Sequence, residues 1–210
     1  MANPLTALCI KYIMLDKGLK SFIFLGANSA LGRMLIRAAL RKGFMPIAMV
    51  RNEEEAKSLK SEFKELENIL LMNDEYSLDK LSGLISNYQT SFLIDTVGGD
   101  QSGRIFERMP ANSEMVFLGN LSKDEYLKFN ATEFFLHNKK LRGFNLEEYM
   151  KEELSEMRRI EFFKILTEDF KSGGKYFGDN NIVKEFKLEQ WQKALNEVGQ
   201  DKDRILLAMM

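Results

Sequence analysis

Residues 22–35, FIFLGANSALGRML, have the composition of a strand that turns into a helix around a phosphate group. In a dinucleotide-binding fold the spacing G-x-G-x-x-G keeps side chains away from the pyrophosphate, and the N–H groups of the following helix hold its charge. Here that spacing is occupied by Ala27, Ser29 and Gly32, with Gly26 immediately before them. Only the third position carries the expected glycine, so the turn alone fits a phosphate site and a ligand-free core turn about equally well.

Further residues suited to a nucleotide follow other apolar runs. Arg51 follows the run MPIAMV, at the place where an acidic residue would bind the ribose hydroxyls of NAD. An arginine suits a 2′-phosphate instead. Two more runs end in DTVGG and FLGNLS, and ligands of open α/β sheets lie at such strand ends. Taken singly, Arg51 also fits a solvated surface cation and the glycines fit plain turns, but together they favour one cleft.

The elements that must position these residues alternate between strand and helix. Apolar runs predict six strands, at 21–26, 45–50, 68–73, 91–99, 113–122 and 139–146. Apolar residues at helical spacing predict helices at 3–18 and 31–43, and further helices at 52–63 and 79–88. Such alternation predicts an α/β fold, a doubly wound (Rossmann) parallel sheet of about six strands with helices on both faces.

The pattern changes after residue 146, which predicts a boundary between a nucleotide-binding domain at 1–146 and a C-terminal extension at 147–210. Residues 147–173 predict one long, charged, amphipathic helix. Residues 182–198 predict a strand followed by a helix. The run RILLAMM at the end of the chain predicts a last strand with no place among the first six, which we expect to pair at an edge or outside this chain.

Composition excludes several function classes. The 210 residues are 45% hydrophobic, which is enough for one sizeable core. Thirty basic and 31 acidic residues give a net charge of −1, which argues against binding to nucleic acid or to anionic lipid. The single cysteine, Cys9, excludes a disulfide framework and a zinc ligand set, so we expect a reducing compartment, the cytoplasm, and no metal. The apolar runs are too short for membrane insertion.

No catalytic residue is predicted. Tyr76 and Lys80 have the Tyr-x-x-x-Lys spacing of short-chain dehydrogenases, but they lie between the third and fourth predicted strands rather than after the fifth. His137 is the only histidine, and no motif places a carboxylate or a serine beside it.

The segments NPLTA, GANSALGRMLIR, MVRNEEE, LIDTVGG, VFLGNLS and KKLRGFNL have the order and spacing of the cofactor domain of medium-chain dehydrogenases/reductases. Over nearly its whole length the chain resembles the zinc-independent branch of that superfamily, the NADPH quinone oxidoreductases and mitochondrial trans-2-enoyl reductases. The resemblance implies NADP(H) as cofactor and hydride transfer to an enone, enoyl or quinone acceptor.

The resemblance also implies which residues contact the cofactor. Residue 6 would lie near the nicotinamide, residues 28–31 would bind the pyrophosphate, residue 51 would meet the 2′-phosphate and residues 119–121 would pass the nicotinamide ribose. The implied cofactor residues are Thr6, Asn28, Ser29, Ala30, Leu31, Arg51, Gly119, Asn120 and Leu121.

One departure from the family bears on activity. Full-length members of the family carry a catalytic domain before the NPLTA helix, whereas this sequence begins at that helix. The resemblance therefore implies that most of the substrate pocket and the proton donor are absent, and that the chain alone is inactive. It further implies a homodimer through the edge strand near Lys140 to Leu146, and it adds mitochondria to the expected compartments. The alternative is a non-catalytic scaffold or assembly subunit that retains the Rossmann fold.

Overall fold

The computed structural model describes residues 2–178, 182–187, 190, 192 and 204–208. The chain divides into two compact units, Met1–Phe177 and Gly178–Met210. The first unit extends past residue 146, the boundary predicted from sequence. No helix among the described residues is long and apolar enough to span a membrane.

The first unit is built on a six-stranded sheet in which every pairing is parallel. Its strands are β1 (Ser21–Leu25), β2 (Met45–Val50), β3 (Asn68–Leu71), β4 (Phe92–Asp95), β5 (Glu114–Phe117) and β6 (Lys140–Gly143). Their order is β3-β2-β1-β4-β5-β6, and Ile23 in the middle of β1 pairs with Ile47 on one side and Leu93 on the other. The predicted doubly wound α/β fold is confirmed, and the order reverses between β1 and β4, where such sheets open a crevice.

Helices cover both faces of this sheet. They are α1 (Ala2–Asp16), α2 (Ala30–Arg41), α3 (Glu53–Glu62), α4 (Glu75–Tyr88), α5 (Gly99–Glu107) and α6 (Ala131–Leu136). Alternate residues of β1 point to opposite faces, because side chains of a strand alternate. Phe22 and Phe24 belong to the core shared with α1 and α2, while Ile23 and Leu25 belong to the core shared with α4 and α5.

Polar side chains determine where several helices begin. Ser29, Asn52, Asp74 and Asn130 each precede a helix and accept a hydrogen bond from a backbone N–H of its first turn. Such caps pair N–H groups that have no partner within the helix. Gly18, just after α1, has a φ of +65°, which a residue with a side chain adopts only with strain.

The single long helix predicted over 147–173 is wrong. A short helix α7 (Leu146–Glu148) continues as a π-helical segment (Tyr149–Glu153), and a separate helix α8 (Glu156–Lys171) follows. Leu154 between them is extended, and the Ser155 hydroxyl accepts a hydrogen bond from the Arg158 N–H at 3.3 Å. A serine hydroxyl competes with the helical carbonyl for that N–H, so the amphipathic pattern continues while the backbone starts a new helix.

The second unit contains two strands, β7 (Ile182–Lys187) and β8 (Arg204–Ala208), which pair in parallel. The expectation that the last strand pairs at an edge or outside this chain is therefore wrong, because its partner is β7. The helix predicted after β7 falls mostly outside the described residues.

A buried lysine joins three elements of the first unit. The Lys139 side chain is 1% exposed, and its Nζ donates hydrogen bonds to the carbonyl oxygens of Phe106 at 3.2 Å and Glu107 at 2.8 Å. It also donates to Glu133 Oε2 at 3.1 Å. The two carbonyls end α5, where a cation complements the negative end of the helix dipole. Lys139 thereby connects α5, α6 and the start of β6.

We expect Lys139→Met to lower the free energy of unfolding by on the order of 2 kcal/mol, because two carbonyls at the end of α5 lose their donor and Glu133 loses its ion-pair partner. Urea denaturation measures the change. The matched control is Lys80→Met, at an exposed position of α4, which should change stability by less than about 0.5 kcal/mol. Equal effects of the two substitutions would show that the Lys139 contacts stabilise nothing.

Candidate functional site

The turn after β1 lies at the edge of the sheet where the strand order reverses. Gly26 has a φ of +82°, and a Cβ built on it would overlap Thr96 Oγ1 and lie 3.3 Å from a methyl carbon of Val97. The N–H groups of Gly26 and Ala27 both donate to the carbonyl oxygen of Met49, at 3.2 Å. The turn is thus fixed against the ends of both neighbouring strands, and no larger residue fits at Gly26.

A second glycine brings α2 close to the strand. A Cβ at Gly32 would overlap the carbonyl oxygen of Ala27 and lie 2.7 Å from a ring carbon of Phe24. Ser29 caps the helix, its Oγ accepting from the Gly32 N–H at 3.1 Å. The N–H groups of Ala30 and Leu31 have no acceptor within residues 2–178. Together with the positive end of the helix dipole, they can bind an anion.

Arg33, which the sequence prediction missed, holds this turn against α3. Its side chain donates to Asn28 Oδ1 at 2.6 Å, to the Asn28 carbonyl oxygen at 3.3 Å and to Ser58 Oγ at 2.8 Å, and it forms an ion pair with Glu62. The Asn28 side-chain oxygen is therefore already engaged. A cation in the first turn of a helix is unfavourable, because it lies at the positive end of the helix dipole. Its presence there in the sequence was the one indication that Arg33 binds partners outside α2.

The loop after β5 is joined to the end of β4. The carbonyl oxygen of Thr96 accepts from the Leu121 N–H at 3.0 Å, and that of Val97 accepts from the Ser122 N–H at 2.8 Å. A Cβ on Gly98, whose φ is +74°, would lie 2.6 Å from Asn120 Oδ1. A side-chain methyl of Leu121 lies 3.7 Å from the position that a Cβ of Gly26 would occupy. The structure thus brings the predicted residues 119–121 to the same edge as the turn after β1.

Asp95, at the end of β4, is fully buried and was not predicted as a site residue. Its Oδ1 accepts hydrogen bonds from the N–H groups of Val97 at 2.7 Å and Gly98 at 3.1 Å. Its Oδ2 has no hydrogen-bond partner in the described part of the chain. Burial raises the pKa of Asp95, and the Ser102 hydroxyl and the two N–H groups oppose that shift without cancelling it. Asp95 fixes the turn that carries Thr96 and Gly98 to the crevice.

Arg51 follows β2, as predicted, but it is already paired. Its side chain is 64% exposed, and its Nε donates to Glu55 Oε1 at 2.9 Å while its backbone N–H donates to Glu55 Oε2 at 3.0 Å. A second guanidinium nitrogen also contacts that carboxylate. Hydrogen bonds and attraction from Glu55 raise the pKa of Arg51 above its usual value. The separation of four residues in MVRNEEE was the sequence signal for this pair.

Thr6 lies near the start of α1, half-buried, and within the described ranges no hydrogen bond joins it to another predicted cofactor residue. Hydrogen bonds and close approaches do join the turn at 26–32, the end of β4 and the loop at 119–122. Among the described residues, no group of three histidine, cysteine, aspartate or glutamate side chains is arranged to hold a metal ion.

An all-parallel sheet that reverses its order beside a glycine-closed turn is the Rossmann type of nucleotide-binding fold. No family model matches the chain. The chain is 29% identical over 182 residues to the mitochondrial enoyl-[acyl-carrier-protein] reductase of Schizosaccharomyces pombe, covering 82% of the chain and 47% of that relative. It is 25% identical to the mitochondrial enoyl-[acyl-carrier-protein] reductase of Arabidopsis thaliana, covering 97% of the chain and 55% of the relative. The chain spans about half the length of these curated relatives.

Solved structures show the same fold. A protein named as an NADPH:quinone reductase from Mesorhizobium loti matches with a TM-score of 0.78 at 23% identity, over 97% of this chain and 57% of that one. Etr1p, an enoyl thioester reductase of Candida tropicalis whose structure holds NADP and crotonyl-CoA, matches with a TM-score of 0.73 at 20% identity, over 95% and 57% of the two chains. The resemblance to the branch of enoyl reductases and NADPH:quinone reductases is confirmed.

The raised pKa of Asp95 makes a testable contribution to stability. The folded chain holds this proton more tightly than the unfolded chain, whose aspartate pKa is about 3.9. Protonated Asp95 therefore contributes its whole stabilising free energy below about pH 3.9. This contribution to the free energy of unfolding is lost as pH rises through the pKa of the folded chain. We expect the stability of Asp95→Asn relative to the unsubstituted chain to rise as pH increases from about 4 through that folded pKa, since asparagine keeps the acceptor oxygen without the charge.

Urea denaturation at stepped pH between about 4.5 and 8 measures this difference. Asp95→Ala is the companion variant, because it removes the acceptor for two N–H groups and should cost about 1 to 3 kcal/mol. Parallel pH profiles for Asp95→Asn and the unsubstituted chain would contradict a raised pKa at Asp95.

Proposed function

We propose that this chain is the NADP(H)-binding part of an oxidoreductase that transfers a hydride from NADPH to an enone, enoyl thioester or quinone acceptor. The observation that carries the proposal is the pair of N–H groups of Ala30 and Leu31, which lack an acceptor in the described chain and lie beside the crevice between β1 and β4. The positive end of the α2 dipole acts at the same place, so these residues fit a pyrophosphate.

Each part of the site has a role in this proposal. Gly26 and Gly32 keep side chains out of the turn, so that backbone can approach the phosphates. Arg51 would bind the 2′-phosphate after exchanging Glu55 for it. Thr6 and residues 119–121 would orient the nicotinamide end. When bound, NADPH supplies the hydride, and the protein supplies binding and orientation.

The comparisons support the proposed acceptor and compartment. The two curated relatives are mitochondrial reductases of an enoyl group carried on a protein, and one structural neighbour is named as a quinone reductase. All of these names describe reductases, and an enoyl thioester is our first choice of acceptor. We accordingly propose mitochondria, rather than the cytoplasm, as the place of action.

The first test of the proposal is cofactor preference. A charge-assisted hydrogen bond between Arg51 and the 2′-phosphate contributes about 1.5 to 3 kcal/mol, so Arg51→Ala should reduce the preference for NADPH over NADH by about ten- to a hundredfold. Glu55→Gln should increase that preference, because the competing carboxylate and its repulsion of the 2′-phosphate are removed. Fluorescence titration of both nucleotides gives the two dissociation constants.

The matched control for this titration is Lys64→Ala, which removes an exposed cation beyond the far end of α3 and should leave the ratio unchanged. An unchanged ratio in Arg51→Ala would refute the assignment of Arg51. Failure of the unsubstituted chain to bind either nucleotide would favour the alternative function, a scaffold that retains the fold without a working cleft.

A homodimer through the sheet edge remains part of the proposal. β6 is the last strand of the sheet, and it pairs only with β5 among the described strands. Its residues are mostly exposed, and Leu141 is 44% exposed. An unpaired strand edge with an exposed apolar side chain favours pairing with a second copy, here through the segment from Lys140 to Leu146.

We expect the purified 210-residue chain to bind NADPH as a dimer and to consume none of it with a quinone or an enoyl thioester. Hydride transfer needs an acceptor held about 3 to 3.5 Å from the nicotinamide, and the proposed site supplies cofactor contacts only. Absorbance at the NADPH band measures consumption, and light scattering of the same sample measures its mass. Steady consumption that Arg51→Ala abolishes would show that this chain is an enzyme by itself, and a monomer would refute the proposed edge pairing.

A further inference from the structure

A cavity of about 460 Å³ lies among α1, α2, α8 and the turn that follows α8. Three cationic side chains line it: Lys11 of α1, Arg41 at the end of α2, and Lys42 immediately after. The helix α2 (Ala30–Arg41) is 12 residues long, so the cavity at its end lies about 18 Å from the turn that begins it. It is therefore separate from the candidate cofactor site.

None of the three cations forms an ion pair with a carboxylate of the described residues. The Arg41 guanidinium instead lies over the ring of Tyr176, 4.0 Å from its centroid. Burial lowers the pKa of Lys11, and repulsion from Lys42 and Arg41 lowers it further. The three positive charges are thus close enough to repel one another.

Two acidic residues also line the cavity, and the carboxylate of one of them is held in place by hydrogen bonds from backbone N–H groups. The Asp169 carboxylate accepts from the backbone N–H groups of Tyr176 at 3.1 Å and Phe177 at 2.9 Å. Glu168 is exposed and has no such partner. Glu161 nearby favours the charged form of Lys11, but its carboxylate also accepts a hydrogen bond from the Tyr12 hydroxyl. Three cations and two carboxylates in the lining leave a formal excess of one positive charge.

Helix electrostatics explain only part of this cluster. Cations at the end of α2 complement the negative end of its dipole, which accounts for Arg41 and Lys42. The same argument does not apply to Lys11, which lies within α1 and is half-buried against two like charges. A repulsive arrangement of this kind is stabilised when an anion occupies the space between the cations.

We propose that this cavity binds a small phosphorylated molecule carrying at least two negative charges and an aromatic ring. A diphosphate group matches three neighbouring cations, one of which is a forked guanidinium suited to phosphate oxygens. The ring would pack against the apolar and aromatic part of the lining, which is formed by Tyr12, Ile165 and Tyr176. The cavity volume falls within the range of small-molecule sites.

The test is an NMR titration of the isotopically labelled chain with inorganic pyrophosphate and with ADP. Both should shift the backbone N–H signals of residues 41–43 and of Lys11, and ADP should in addition shift the ring signals of Tyr12 and Tyr176. We expect the double variant Arg41→Gln with Lys42→Gln to weaken binding at these signals at least tenfold. Lys11→Met alone should also weaken it.

Two controls separate this site from others. The double variant Lys64→Gln with Lys80→Gln removes the same charge from exposed positions elsewhere and should leave the affinity unchanged. Ser29→Leu obstructs the turn before α2 and should leave the shifts at residues 41–43 unchanged. Shifts confined to Ala30 and Leu31, or an equal loss of affinity in both double variants, would overturn the proposal. Thermal melts establish that each variant is folded.

Discussion

The turn after β1 can close only because neither Gly26 nor Gly32 carries a side chain. A Cβ at Gly26 would overlap Thr96, and a Cβ at Gly32 would overlap the Ala27 carbonyl. This steric constraint sets how closely α2 approaches the sheet, and the Ser29 cap then sets where the helix starts. The position of the N–H groups of Ala30 and Leu31 follows from packing inside the protein. The candidate phosphate site therefore has its shape before any ligand arrives.

Local patterns in the sequence predicted most of the first unit. Continuous apolar runs such as FIFL and MPIAMV identified β1 and β2, because central strands of a parallel sheet are buried on both faces. Apolar residues at helical spacing within 31–43 identified α2, and Met34, Leu35 and Ala38 of this helix lie in the core. Small residues at the ends of β1, β4 and β5 were also predicted to converge at one edge, and the hydrogen bonds of Thr96 and Val97 place them there.

The features that sequence reasoning missed have different physical causes, and only some of them involve partners distant in the chain. Arg33 is held by Ser58 and Glu62, and the environment of the buried Asp95 carboxyl depends on how the chain turns after β4. The break at Ser155 is a local competition for one N–H, which an uninterrupted amphipathic pattern does not show. The pairing of β8 with β7 joins segments whose apolar patterns carry no information about register or partner. The role of each predicted cofactor residue stays a prediction.

Because Arg51 is already paired with Glu55, binding of a 2′-phosphate would replace one anionic partner of the arginine with another. A surface ion pair of this kind contributes about 0 to 1 kcal/mol to stability. Breaking it therefore costs less free energy than the charge-assisted contact between Arg51 and the phosphate provides. The arginine also starts from a restricted set of rotamers, so less entropy remains to be lost. Added salt screens the carboxylate and phosphate contacts alike. Discrimination between the two nicotinamide cofactors would consequently vary less with ionic strength than the affinity for either one.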